Sequence, residues 1–133
     1  MGKKEVVAKD LREALCSYVN EVINAFVMLV PNILIYSVYW EEEEVNEKGS
    51  YFSVVYEPCM YYARFYVFKG LFDEIPEAGL TDSFKEFLKY CIAHEVAHCL
   101  LWGLEGRYEV EEKAATLVGS ILFRLFKHEV KHL

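Results

Sequence analysis

Chain breakers, basic charge and histidine are all scarce in this sequence. Its 133 residues include seven glycines and three prolines, against 54% hydrophobic and 16% aromatic residues. A chain so poor in breakers and so rich in large apolar side chains is neither disordered nor of low complexity, and it can fill one packed core. Residues 1–133 therefore read as a single domain. Fourteen Lys and Arg stand against twenty-one Asp and Glu, a net charge of −7. That sign repels phosphate, which excludes nucleic acid as a partner. Cys16, Cys59, Cys91 and Cys99 form no CxxC pair, and the opening Met-Gly-Lys-Lys-Glu is no apolar signal core. A reducing, cytoplasmic location is the expectation. The longest apolar stretch, Val22 to Trp40, is interrupted by Asn24, Pro31 and Asn32. Those residues are costly in hydrocarbon, so no stable membrane insertion is expected.

The periodicities outline an α+β domain. Val7, Leu11, Leu15, Tyr18, Val22, Phe26 and Leu29 recur at helical spacing, predicting an amphipathic helix from Lys3 to Val30 that Pro31 stops. Ile33 to Trp40 is β-branched or aromatic almost throughout, the pattern of a strand covered on both faces. After an acidic loop, Glu41 to Ser50, with Asn46 and Gly49 as turn residues, two strand-like runs follow, Tyr51–Glu57 and Tyr61–Phe68. Pro58 and Cys59 separate them, which predicts a three-stranded antiparallel sheet. The glutamates Glu41 to Glu44 read as a solvated loop. Ser83-Phe84-Lys85-Glu86 fits a capping box opening a helix that ends at Trp102 before Gly103 and Gly106, and a last helix begins near Arg107. Its predicted inner face carries Ala114, Ala115, Val118, Ile121, Leu122 and Leu125.

All four histidines fall in two H-E-x-x-H strings. In the first, His94-Glu95-Val96-Ala97-His98, helical spacing sets two imidazoles one turn apart with a carboxylate between them. On a helix wheel Phe84, Leu88, Cys91 and Trp102 mark the buried face, and Glu95 and His98 fall near its centre. Two imidazoles and one further ligand hold Zn²⁺ with a position left for water, and the intervening Glu95 suits a general base. The last helix offers Glu109, Glu111 and Glu112 as the further ligand. Glu111 precedes Ala114 and Ala115 by one turn and Val118 by two, so projection of the apolar face selects it. Glu112, about 100° away, is expected to face solvent, though the choice between Glu111 and Glu112 stays open.

His94-Glu95-Val96-Ala97-His98 followed by Glu111-Glu112-Lys113-Ala114-Ala115 resembles the gluzincin metallopeptidases. In size the chain is similar to the minimal gluzincins, and in pattern to ImmA/IrrE-type and related phage-encoded metallopeptidase domains. The resemblance implies a minimal zincin-like fold: N-terminal helix, sheet, active-site helix and C-terminal ligand helix. It implies zinc ligands His94, His98 and Glu111, with Glu95 as general base and acid, and hydrolysis of peptide bonds in a peptide or protein substrate. Tyr108 matches in sequence position the oxyanion-stabilising residue of such enzymes. The chain departs from many relatives at Ala115, where they carry Asp or Asn.

Other readings attach to the same residues. A non-catalytic module could keep the zincin scaffold and bind a partner through its aromatic strands, but a purely structural zinc site has no use for Glu95. Glu95-x-x-His98 and Glu129-x-x-His132 are half of a di-iron carboxylate set, completed only by glutamates such as Glu13 or Glu21 on further helices. The second string, His128-Glu129-Val130-Lys131-His132, reads as a polar helix end whose basic groups suit the negative pole of the dipole, with an accessory metal site or a lid lending a ligand to the first site as the other readings. Cys91 reads as a buried small hydrophobe. The aromatics Tyr61 to Phe68 read as sheet packing, and Ala63 to Phe68 as the edge where an extended peptide pairs.

Overall fold

A computed structural model describes residues 2–102 and 108–125, with side chains over 9–102 and 112–124. The chain folds as helix α1 (Gly2–Val27), strands β1 (Ile35–Glu41), β2 (Phe52–Glu57) and β3 (Tyr62–Phe68), then helices α2 (Asp82–Leu100) and α3 (Tyr108–Leu125). This is the expected α+β class in the expected element order.

Helix α1 buries a broader stripe than the one read from sequence, with Val19, Ile23 and Val27 beside Leu15, Tyr18, Val22 and Phe26. Each fully buried large side chain such as Phe26 or Ile23 contributes about 1.5–3 kcal/mol by leaving water. The helix tightens at its end through Leu29 N–H to Phe26 O and Val30 N–H to Val27 O, ahead of Pro31.

The sheet order is β1-β3-β2, so β3 is the central strand. β2 and β3 form the expected antiparallel pair around the turn at Pro58–Met60, but β1 and β3 run parallel, Ile35 opposite Tyr62. The sheet is mixed where an antiparallel meander was expected. The reason is burial. Ala63, Phe65 and Val67 of β3 are all buried, and a strand with that inner row gains most from a neighbour on each side. β3 is therefore not an edge, and the pairing site expected at Ala63 to Phe68 is already occupied by two strands. The opposite face of the sheet carries no described helix. Ile35 and Tyr39 are exposed there, Tyr39 stacks on Tyr66 at 5.3 Å, and Arg64 pairs with Glu57 at 2.7 Å, so β1 is not covered on both faces.

Between β1 and β2 the acidic loop turns as read: the Asn46 side-chain oxygen accepts from Lys48 N–H and Ser50 N–H, and Gly49 has φ +82°. Lys69 and Gly70 N–H hold the loop by donating to Glu43 O and Glu44 O. A side chain at Gly70 would collide with Glu44 O, so only glycine allows that approach. Glu42, Glu43 and Glu44 are exposed, as a solvated loop requires.

Helix α2 starts two residues earlier than the capping box implied. Thr81 is the cap, its hydroxyl oxygen accepting from Phe84 N–H at 3.2 Å. The buried line of α2 runs through Leu88, Ile92, Val96 and Cys99, joined by Ala93 and Ala97. Trp102, placed on the buried face from sequence, is 58% exposed. The side of α2 bearing His94, Glu95 and His98 is half-buried and faces β2 and α3.

Candidate metal centre

Helical spacing delivers what the first H-E-x-x-H string promised. His94 and His98 stand one turn apart on α2 with ring centroids 4.9 Å apart, and both Nε2 atoms aim at α3. There they meet Glu112. Its Oε1 lies 2.8 Å from His94 Nε2 and its Oε2 3.1 Å from His98 Nε2. Sequence projection selected Glu111 and turned Glu112 to solvent. The glutamate that reaches both imidazoles is Glu112, and the side chain of Glu111 lies outside the described residues, as does that of Tyr108.

The reason lies at Gly119. A Cβ there would sit 2.9 Å from His94 Cα and 3.2 Å from His94 N, so α3 crosses α2 in near backbone contact at His94. Glu112 precedes Gly119 by two turns, on the same line of the helix. Ala115 and Leu122 complete that buried line. The projection weighed Ala114, Ala115 and Val118 on a face drawn to include Ile121 and Leu122; Ala115 and Leu122 are buried, but Ile121 is exposed, so the true inner line is rotated toward Glu112. A glycine inside a helical pattern was the available signal, since it costs helix stability unless another backbone comes close.

Among the described residues, His94, His98 and Glu112 form a group able to hold a metal ion, their donor atoms within 4.8 Å of one another. Two imidazole nitrogens and a carboxylate oxygen are a zinc donor set, and tetrahedral zinc with bonds of about 2.0–2.2 Å needs donors about 3.3 Å apart. The nitrogen–oxygen separations of 2.8 and 3.1 Å, one to each carboxylate oxygen, are hydrogen-bond distances, so an ion would enter by a small spreading of the three side chains. The histidines keep 18% of their side-chain surface and Glu112 37%, so the centre is reached from solvent.

Glu95 lines the same cleft, of about 460 Å³. Burial pushes its carboxyl up to about 8, and the Glu112 charge adds to the rise. A cation between the histidines would oppose both effects. The other walls come from β2, through Phe52, Val54 and Tyr56, and from the loop through Asn46 and Ser50, with Trp102 at the rim. None of these wall residues was singled out from sequence as lining a site, since the topology alone brings them to α2. Cys91, one turn before His94, is half-buried and unpaired, and burial followed by the Glu95 charge pushes its thiol up to about 12. A thiol held protonated in this way suits packing better than metal ligation. The second string, His128 to His132, lies outside the described residues.

No family model matches this chain. No curated protein and no solved structure matches it either. The gluzincin resemblance therefore rests on the motif residues, and the geometry of His94, His98 and Glu112 has to speak for itself. No helix among the described residues is long and apolar enough to cross a membrane.

Proposed function

We propose that this protein is a zinc-dependent peptidase, hydrolysing peptide bonds with water at the His94, His98 and Glu112 centre. One observation carries the reading: a zinc donor set and a separate carboxylate, Glu95, share one solvent-reached cleft. Zinc, when bound, supplies a Lewis acid that lowers the pKa of water to about 7 and polarises a carbonyl. His94 and His98 hold the ion through Nε2, and Glu112 adds a negative charge that offsets part of the ion's own. Glu95 takes the proton released as water attacks the peptide carbon, and returns it to the amine nitrogen as the C–N bond breaks. Tyr108, at the first position of α3, is our candidate for steadying the negative carbonyl oxygen. The substrate is a peptide or protein. Cys16, Cys59, Cys91 and Cys99 are all unpaired, which fits the cytoplasm we propose as the compartment.

A di-iron reading needs four carboxylate-bearing helices, whereas the described residues form three helices and a sheet. Two imidazoles with one carboxylate are also a mononuclear iron(II) set, so metal analysis comes first. Purified protein should contain about one zinc per chain, and chelation should abolish cleavage of a peptide library that added zinc restores. Glu95→Gln should keep the zinc and lose about 10²- to 10⁴-fold in cleavage rate. Iron in place of zinc, or no bound metal, rejects the zinc reading. Stoichiometric zinc with no cleavage of any library member leaves a non-catalytic scaffold.

A further inference from the structure

The cleft that holds the metal centre differs between its two ends. β2 runs past the centre from Phe52, which follows the polar loop of Asn46 and Ser50, to Tyr56. On the facing wall His94, His98 and Trp102 follow one another at one-turn intervals. Tyr56 and Trp102 meet edge to face with ring centroids 6.3 Å apart. The cleft therefore has hydrogen-bonding groups at one end, the donor set in the middle and two aromatic rings at the other end.

The aromatic end is built. The Tyr56 hydroxyl donates to the backbone oxygen of Asn32, and the Asn32 side-chain amide donates to Cys99 O at 2.8 Å, in the last turn of α2. β2, the segment before β1 and the end of α2 are thereby tied together behind the rings. Trp102 nonetheless stays 58% exposed. A large apolar ring packed edge to face on the anchored Tyr56, with over half its surface in water, is a wall whose covering by a ligand removes apolar surface from water. Other exposed apolar side chains, Met28, Leu34 and Met60, do not line this cleft.

We infer that Tyr56 and Trp102 form a subsite that takes a large apolar side chain, aromatic or long aliphatic, from the substrate residue beside the cleaved bond. The inference rests on the peptidase reading for what is bound. The subsite gains by removing the exposed indole face from water, and it rejects small polar side chains because they cover little of it.

The test uses one of the protein's two tryptophans as the probe. Trp40 stacks on Phe72, away from the cleft, so Trp40→Phe leaves Trp102 as the sole indole emitter. Two blocked tetrapeptides, differing only by Phe or Ser at one position, are titrated into the Trp40→Phe, Glu95→Gln protein, with and without added zinc. The Phe peptide should shift Trp102 emission and saturate at about tenfold lower concentration than the Ser peptide. In a competition assay against a fluorescent peptide, Trp102→Ala should bring the two within about threefold, and Trp102→Phe should keep the preference. Circular dichroism of each variant confirms folding. Equal binding of the two peptides, no binding of either, or a Phe preference that survives Trp102→Ala overturns the subsite. Zinc binding and cleavage by the unmutated chain would survive any of those results. Conversely, a Trp102-dependent Phe preference in a protein that neither binds zinc nor cleaves peptides keeps the subsite and removes the peptidase.

Discussion

Glu111 and Glu112 are adjacent acids set about 100° apart around α3. Nothing in their chemistry separates them, so a substitution at each does. Glu112→Ala should lower zinc affinity by about a hundredfold or more, because a ligand is lost and two imidazoles remain. With Glu112 as the third donor, Glu111→Ala should leave zinc affinity within about threefold of the unmutated chain. Zinc titration against a competing chelator measures both, and the opposite ranking would restore the sequence-based choice. At this scale the pair His94 and His98, and Glu95 between them, were legible in the sequence, because one helix carries all three and its pitch alone sets their spacing. The third donor was not, because it depends on how a second helix is rotated about its axis.

At the scale of elements, that rotation is held by Gly119. Helix propensity alone predicts that Gly119→Ala stabilises the protein by about 1 kcal/mol. A Cβ 2.9 Å from His94 Cα predicts the reverse, since the atoms it meets are backbone and one of the two helices must move. Overpacking of this kind costs about 1–3 kcal/mol and should win. Gly119→Ala is therefore expected to lower the melting temperature and to weaken zinc binding by about tenfold, by displacing Glu112 from the imidazoles. A higher melting temperature with unchanged zinc affinity would show that the crossing has room to spare. Strands and helices were legible at this scale, since each is a local period. Pairing was not: β3 enters between β1 and β2 because its inner row needs cover on both sides, and no local period carries that demand.

For the whole molecule, the thiols of Cys91 and Cys99 report how dry the packing around α2 is. Both are pushed from their ordinary 9.0 up to about 12, by burial first and the Glu95 charge second. Burial also raises the Tyr18 phenol. In the unfolded chain the two thiols ionise near pH 9, while the folded chain keeps their protons until about pH 12. The folded state binds more protons across that interval, so this contribution is complete below pH 9 and falls as pH rises toward 12. Urea midpoints should therefore decline as pH is raised above about 9, and less steeply in a Cys91→Ala, Cys99→Ala double variant. Equal slopes in the two proteins would show that the thiols are not linked to folding.

The sequence by itself determined the α+β class, the helix that ends ahead of Pro31, the turn at Asn46 and Gly49, and the presence of His94, Glu95 and His98 on one helix. Each of these is written in residues a few positions apart, where backbone geometry and side-chain period act without help. Only the tertiary structure decided which glutamate meets the histidines, which strand is central, and that Tyr56, Trp102 and the Asn46 loop close one cleft around them. Those outcomes depend on the rotation, crossing and pairing of separate elements. They follow from the burial of surfaces far apart in the chain, at contacts such as Gly119 against His94.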